Sequence, residues 1–590
     1  MRRNMILGCL CLTACLAAGR TALAQTIESR GPTLDLSAAL DNWRHIPRGP
    51  ELSAADLELD PDARPKSRIA AAAAVTDVER FFYLLEHGYC GYGYFRQVHS
   101  FETARTEILE ELGTRERWRV RDLAELIRRH LDFITDCHLK LGHVQFAGHQ
   151  DFRFSAEPVL TERAGTYYIG ATTDDQEIVS VNDRNPREFV FRSLDAAGLP
   201  VLILGTLSAS PPEPLRVVTR RGGVESEQTY DLREAVLKRS DLFRRFEHSG
   251  IPVVRIRTFS DHHVDQIEGF LRSAEELRGE PCVVVDLRRN GGGNTRWPRE
   301  WIHRFTGQDP QMNQVLSELV TRTALVGQAN YQTWLAAGPG RSIRDRLKQE
   351  HDRLATRITA FNQGGAQPYW QAPYIPQRPS IANETTLVVI IDRAVASSGE
   401  GMISFLQDQV ENVVLVGENT RGALVFGHVT AHRLPESGLI AFLPVKLNVA
   451  MDLQFREERG FDPDYWVPAD DALNRAVAAI RAGTIPTVIP LKPGVLEAEF
   501  TPESSPRFSR REIRRFLQIF MVVFVGTVIG FVNRKRGATI FLLIALGLTI
   551  GGGIGFAENP TAKVLAFFLA LCNGGIAGYK QWRPRPCRSD

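Results

Sequence analysis

Two continuous apolar runs constrain this chain more than anything else in its sequence. Cys282-Val283-Val284-Val285-Asp286-Leu287 and Leu387-Val388-Val389-Ile390-Ile391-Asp392 do not alternate apolar with polar residues, so as strands they must be covered on both faces. Val253-Val254-Arg255-Ile256 and Val413-Val414-Leu415-Val416 read as further strands, and 264–277 and 401–410 as helices. Strands alternating with helices predict a mixed α/β core, over 246–500. The polar interval 311–371 inside it reads as a helical insertion over or beside a site.

Upstream the pattern changes twice. Residues 25–65 read as an extended leader. Over 66–150 apolar residues recur at spacings of three and four (Val78, Phe81, Phe82, Leu84, Leu85, then Leu123, Leu126, Ile127), which predicts a helical unit. Over 151–245 short β-type runs such as Thr166-Tyr167-Tyr168-Ile169 alternate with turn residues. Within it, 177–189 resembles part of a PDZ domain and Arg220-Arg221-Gly222-Gly223 its closing hairpin. A degenerate PDZ-like module and a generic β subdomain both fit.

The ends speak of a membrane. Arg2 and Arg3 precede an apolar stretch that reaches Ala22-Leu23-Ala24, the layout of a signal peptide over 1–24. Leu12-Thr13-Ala14-Cys15 also resembles a lipobox, which would make Cys15 a lipidated terminus. At 516–532, 538–556 and 564–579 lie apolar stretches about long enough for a bilayer core of roughly 30 Å, predicting two or three transmembrane helices within 515–579 and membrane lipids as partners. Three spans behind an exported domain would put 533–537 and the basic tail 580–590 in the cytoplasm, as the positive-inside tendency requires. Arg507, Arg510, Arg511, Arg514 and Arg515 on the outer side depart from it. The expected location is thus membrane-anchored with the catalytic part exported, periplasmic or extracellular.

Charge and cysteine content exclude other classes. With 71 basic against 69 acidic residues, no global field favours a nucleic-acid partner. Of eight cysteines, only Cys90, Cys137 and Cys282 fall between the signal and the C-terminal region, which is no disulfide scaffold. A Cys90–Cys137 bridge and three free thiols both remain open. No spacing suggests a metal, and no cofactor is expected.

The chemistry-bearing residues stand where the buried runs end. Asp286-Leu287-Arg288-Arg289-Asn290-Gly291-Gly292-Gly293 closes the first run in glycines, which lets main-chain N–H groups face a ligand. No Gly-Lys-Ser/Thr follows, so it is not a phosphate loop of the usual kind. After the second run, Ala396-Ser397-Ser398-Gly399-Glu400 puts a serine at a strand-to-helix junction, where a helix N-terminus offers N–H groups to a developing oxyanion. A plain helix cap would occupy the same place.

Taken in order, the Asp-Leu-Arg-x-Asn-x-Gly-Gly run, Ser-x-x-Glu, Val416-Gly417-Glu418-Asn419-Thr420-Arg421-Gly422 and Gly460-Phe461-Asp462-Pro463-Asp464 resemble the S41 peptidases, which include the carboxy-terminal processing and tricorn-core proteases. The resemblance covers 251–480 and implies a ClpP/crotonase-like catalytic core with Ser397 as nucleophile. In the processing proteases a lysine serves as base; that position here is Gly422, which argues against a Ser-Lys dyad, and nothing in the spacing recommends Lys446. The tricorn-like subgroup uses a histidine from the helical part and a late glutamate, which implies His138 and Glu457. His143 and His428 are rival histidines, and Glu458 a one-residue alternative. The tricorn-core pattern has serine immediately before the histidine, where this chain has Cys137, preceded by Asp136, so the group that orients the imidazole stays open. The resemblance places oxyanion binding on the main-chain N–H groups of Gly292 and Ser398.

The expected function is that of an exported, membrane-anchored serine endopeptidase acting on polypeptides by a Ser/His mechanism. A silent S41-like protein that binds peptides or hydrophobic ligands is the rival. The oligomeric state is not legible.

Overall fold

The two apolar runs form the middle of a six-stranded sheet, in the computed structural model of the chain. Its order is Phe243–His248, Ile251–Ile256, Cys282–Asp286, Thr386–Ile391, Val413–Gly417, Tyr465–Trp466. The first two strands are an antiparallel hairpin turned by Ser249 and Gly250, both at positive φ, as a two-residue turn that continues the strand twist requires. Every later pairing is parallel.

Side chains alternate between two apolar layers. Val254, Ile256, Val283, Val285, Leu387, Val389 and Ile391 pack with residues of the helices Val264–Leu277, Arg296–Thr306 and Ser398–Gln409. Val253, Val284, Val388, Ile390, Val414 and Val416 pack with those of Ala472–Arg481. Coverage on both faces is what the unbroken apolar runs demanded, and the α/β expectation for this region holds.

The structure describes residues 32–97, 99–170, 176–211, 213–236, 241–336, 344–363, 367–371, 380–486, 489 and 491. The signal peptide, Cys15, the start of the leader, the transmembrane stretches and the basic tail lie outside them. Among the described residues no helix is long and apolar enough to cross a membrane.

A second, antiparallel sheet runs in the order Val224–Tyr230, Leu215–Arg221, Gln176–Val181, Thr166–Ile169, Asp151–Arg163, Pro200–Ser208, Val190–Leu194. Its described residues include one 3-10 turn, Pro186–Glu188, and no α-helix. Phe152 and Phe191 of this sheet pack on Trp466 of the central one, with ring centroids 4.7 and 5.0 Å away.

A third sheet joins Gln314–Val320 to Ile440–Ala450, with Lys140–Leu141 and Phe426–Arg433 also paired to the latter. One face closes over the N-terminal helices, chiefly Ala71–Gly88, Phe101–Leu112 and Val120–His130. Gln314–Val320 corrects the reading of 311–371 as helical. Val315 and Leu319, both buried, are four apart, a spacing that fits a helix face as well as one face of a strand. Helices Arg322–Ala336 and Arg344–Gln363 follow it. Cys90 and Cys137 are free and buried, so the bridge between them is not formed; the Cys90 thiol donates to the Lys446 carbonyl at 3.2 Å.

Gly198, at φ +82°, sits where the second sheet meets the helix Ala472–Arg481, and a Cβ there would fall inside the backbone of Ala478 and Ala479. Gly198→Ala is expected to destabilise the protein by about 3 kcal/mol, from overpacking and backbone strain together. The shift of the urea unfolding midpoint measures it; no shift would mean the contact yields freely.

Candidate active site

The first buried strand ends in Asp286 and the second is followed directly by Asp392, and each aspartate holds a loop that follows. Asp286 takes Arg255 at 2.8 Å and Arg288 at 2.7 Å; burial alone would raise its pKa, but the two guanidinium groups hold it below the usual carboxylate range. Asp392 accepts the N–H groups of Arg289 and Ala394. These bonds bring the glycine run against the turn after the second strand.

Asn290, fully buried, makes the seam. Its carbonyl accepts the Ala396 N–H at 3.0 Å, its side-chain oxygen accepts the Gly292 N–H at 3.0 Å, and its amide donates to the Ile256 carbonyl. Gly292, at φ +89°, lies so close to the serine that a Cβ would stand 2.8 Å from the Ser397 Cβ. Glycine is therefore required here for proximity. Its N–H, assigned by resemblance to an oxyanion, is spent on Asn290 in this structure.

Ser397 has φ 52° and ψ −118°, a conformation that L-residues avoid and that costs of order 1–3 kcal/mol. It stands between strand Thr386–Ile391 and helix Ser398–Gln409, the sharp strand-to-helix turn that lifts a nucleophile above a sheet. Ser398 is used differently: its hydroxyl donates to the Gly293 carbonyl at 2.7 Å and lies 3.0 Å from the Thr295 hydroxyl. Its N–H belongs to the first residue of the helix, where donors lack intrahelical partners.

Two buried carboxylates hold the turn in place. Glu400 accepts the N–H groups of Ser397 (3.2 Å), Gly422 (2.7 Å) and Ala423 (2.8 Å) and the Thr420 hydroxyl (2.5 Å). Glu457 accepts the N–H groups of Cys137 (3.0 Å), Leu424 (3.1 Å), Val425 (2.8 Å) and Phe426 (3.4 Å). Five successive N–H groups, from Gly422 to Phe426, thus point at one carboxylate or the other. Each carboxylate's remaining reach ties in one site segment, Ser397 for Glu400 and Cys137 for Glu457. Burial raises the pKa of both, in Glu457 with help from the Asp136 charge, and the donated N–H groups pull the other way. Neither side chain of the expected pair is bonded to Glu457, which places it as a positioning residue for the main chain before His138.

The same clamps bring the histidine segment to the serine segment: Cys137, Ala147, Ala423 and Ala396 pack in one small apolar cluster. Cys137 and Ala396 are the immediate neighbours of His138 and Ser397. Asp136, fully buried, accepts the N–H groups of His138 at 2.7 Å and Leu139 at 3.2 Å through one oxygen, and burial pushes its pKa up to about 7. It too fixes the histidine through the backbone. The Nδ1 of His138 is buried with no partner among the described residues. Burial, then the Lys140 charge, lowers the imidazole pKa to about 4.

The rivals are placed elsewhere. His143 is exposed in the turn between Lys140–Leu141 and Val144–Gln145. His428 is 3.0 Å from Glu318. Lys446 pairs across the strands with Glu318, its pKa lowered by burial against the pull of that carboxylate. Glu458, the alternative to Glu457, accepts the Gly148 N–H at 2.6 Å. Sequence reasoning left Glu400 and Asn290 without roles. The signal for Glu400 was its place three residues after Ser397, the acidic position of a capping box.

Residues 250–467 match the model of peptidase family S41. No curated protein matches. The matched stretch contains the strained serine, the glycine run and both clamping glutamates, while His138 lies upstream of it. Among solved structures, the chain is similar to mature CPAF complexed with lactacystin, at 15% identity and a TM-score of 0.38, covering 70% of this chain and 99% of that one. It is similar to the photosystem II D1 C-terminal processing protease at 13% identity and a TM-score of 0.31, covering 71% and 100%. A lipoprotein from Streptococcus agalactiae gives 12% identity and a TM-score of 0.32, covering 72% and 100%. Among the described residues no group of three His, Cys, Asp or Glu side chains could hold a metal ion.

Replacing Glu400 by Gln sets an NH2 donor against donors that a carboxylate satisfies. Glu400→Gln is expected to destabilise the fold by about 3 kcal/mol and to speed amide exchange at 420–423 and 397. Unchanged exchange in these segments would contradict the clamp.

Proposed function

We propose that the protein is an exported serine endopeptidase, anchored by its C-terminal apolar stretches, that hydrolyses envelope or membrane-proximal polypeptides with Ser397 and His138. The strained Ser397 backbone, pressed against Gly292 at a strand-to-helix turn, carries the reading. Strain of this kind persists only where surrounding bonds over-determine it, and here Glu400, Asn290 and Gly292 do so. A structural cap would not need it, because an ordinary cap sits in the relaxed β region.

In the proposed reaction His138 takes the Ser397 hydroxyl proton as the oxygen attacks a peptide carbonyl. It returns that proton to the leaving amine, and water then releases the acyl group through the same exchange. The Ser398 N–H, at the head of helix Ser398–Gln409, faces the developing oxyanion with the positive end of the helix dipole behind it. Gly292 supplies a second donor if substrate draws its N–H from Asn290. Asp136 and Glu457 act through the backbone, holding the histidine where the serine can reach it.

One observation favours a second reading, a silent peptide-binding S41 protein: the His138 imidazole has no carboxylate partner among the described residues. Hydrolysis of a quenched unstructured peptide library decides between them. Ser397→Ala and His138→Ala are expected to lower kcat/KM by about 10³-fold or more, and Ser398→Ala by about tenfold, the loss of one hydrogen bond. An inactive wild type, or Ser397→Ala matching it, sinks the peptidase reading.

The pH profile tests the base. A histidine with a depressed pKa stays neutral, and able to accept a proton, well below pH 6.5. The acid limb of kcat/KM is therefore expected near pH 4. The same shift has a stability cost: as pH falls from about 6.5 the unfolded chain binds a proton that the folded His138 refuses, so its contribution declines toward pH 4. An acid limb at pH 6.5 would contradict the buried neutral imidazole.

A further inference from the structure

The run 416–422 holds one side chain that the proposed chemistry leaves unused. Glu418, Asn419 and Thr420 are fully buried and bonded inward, to the Ala469 N–H, the Arg459 carbonyl and the Glu400 carboxylate. Arg421, the next residue, is only half-buried. Its main-chain N–H donates at 2.8 Å to the carbonyl of Val395, two residues before Ser397. Its guanidinium donates at 3.3 Å to the side-chain oxygen of Gln145, whose amide donates at 3.1 Å to the carbonyl of Cys137, immediately before His138. Three hydrogen bonds therefore lead from the serine turn to the histidine segment, and Arg421 takes part in two of them. Burial and the Glu457 charge raise the pKa of the Cys137 thiol, and the Arg421 charge pulls it back, as a cation close to that residue must.

What sets Arg421 apart is the lack of a counter-charge. Arg393, Arg456 and Arg459, from the same stretches of chain, pair with Asp151, Asp452 and Asp462. The Arg421 guanidinium has one side-chain partner among the described residues, the neutral Gln145 amide, and no carboxylate within ion-pair reach. The carboxylates of the site framework are committed elsewhere: Glu400 and Glu457 to the strap and Glu458 to the Gly148 N–H. A guanidinium partly withdrawn from water and bonded to a neutral oxygen alone has given up hydration that no charge replaces. Because it is half-buried and not enclosed, its other N–H groups can take a ligand. The planar fork fits a carboxylate through two parallel bonds, with one charge against one.

We infer that Arg421 is a specificity-determining residue that receives a carboxylate of the polypeptide substrate, carried by an acidic side chain or by the chain end, close to the bond presented to Ser397. The inference rests on the Ser397–His138 reading for its place beside the scissile bond. The occupant is a carboxylate because the residue offers one unpaired positive charge, and it belongs to the substrate because the hydrogen bonds of Arg421 tie it to the two segments that carry the reacting side chains.

The test uses the full chain carrying Ser397→Ala, so that binding is read without cleavage, and three labelled unstructured peptides of one length. The reference peptide has a central Gln and an amidated end; the second replaces that Gln by Glu, and the third keeps Gln but has a free terminal carboxylate. Fluorescence anisotropy is expected to show at least one carboxylate peptide binding about tenfold or more tighter than the reference, and which of the two it is identifies the source. Adding Arg421→Gln should reduce that ratio below about threefold, whereas Arg421→Lys, which keeps the charge without the fork, should retain part of it. A merely structural role for Arg421 would weaken all three peptides alike and leave the ratio unchanged. No preference in the parent, or a preference that survives Arg421→Gln, overturns the inference. If Arg421→Gln abolishes all binding, Arg421→Lys decides: a retained ratio supports the inference, and a lost one overturns it. Hydrolysis of the same peptides by the wild type keeps the two ideas apart, since a carboxylate preference without cleavage contradicts the peptidase reading and leaves the role of Arg421 standing.

Discussion

Everything in this site hangs from two buried carboxylates. Glu400 and Glu457 between them take five consecutive N–H groups, from Gly422 to Phe426, a stretch that runs through the protein interior on its way to strand Phe426–Arg433. A loop so buried would otherwise leave its donors unpaired, at roughly 1–3 kcal/mol each. Burial penalises the carboxylates as well, and charge-assisted bonds from several donors offset that penalty. The outcome is a rigid strap to which Ser397 is tied from one end and Cys137 from the other. Strand order places the serine at the end of the central sheet, but only this strap brings the histidine segment, more than two hundred residues earlier in sequence, to the same place.

The strap also explains how a disfavoured backbone survives. Ser397 lies at the junction of three independent restraints: the Glu400 carboxylate at its N–H, the Asn290 carbonyl holding Ala396, and the absence of a side chain at Gly292. Relieving the turn would mean breaking several bonds at once. Its strain is therefore stored by the surroundings, and the hydroxyl is presented without local rearrangement.

Much of the α/β core was legible in the sequence, because a strand covered on both faces leaves no polar position and the runs at 282–285 and 387–391 have none within them. The strand-to-helix junction at 396–400 was legible for a related reason, since the second run ends in small residues followed by an apolar helix, but the choice of Ser397 over Ser398 came from the resemblance. What escaped is what depends on side chains meeting across the fold. Gln314–Val320 was read as helical because its apolar residues, four apart, fit both periods. Glu457 was singled out only by the resemblance; the main-chain donors that its oxygens serve follow from no sequence pattern. The contact of the Gly292 N–H with the Asn290 side chain is set by a residue two positions earlier and by nothing periodic. Of the two cysteine readings left open, the free thiols are found: Cys90 sits against Lys446 and Cys137 beside Ala147 and Ala423.

The central claim is that this framework exists to present one hydroxyl. Reaction of the full chain with a fluorophosphonate at neutral pH, followed by peptide mapping, tests it most directly. The account predicts a single adduct on Ser397 that is abolished in Ser397→Ala and strongly slowed in His138→Ala. An unlabelled wild type, or an adduct on Ser398 instead, would contradict it.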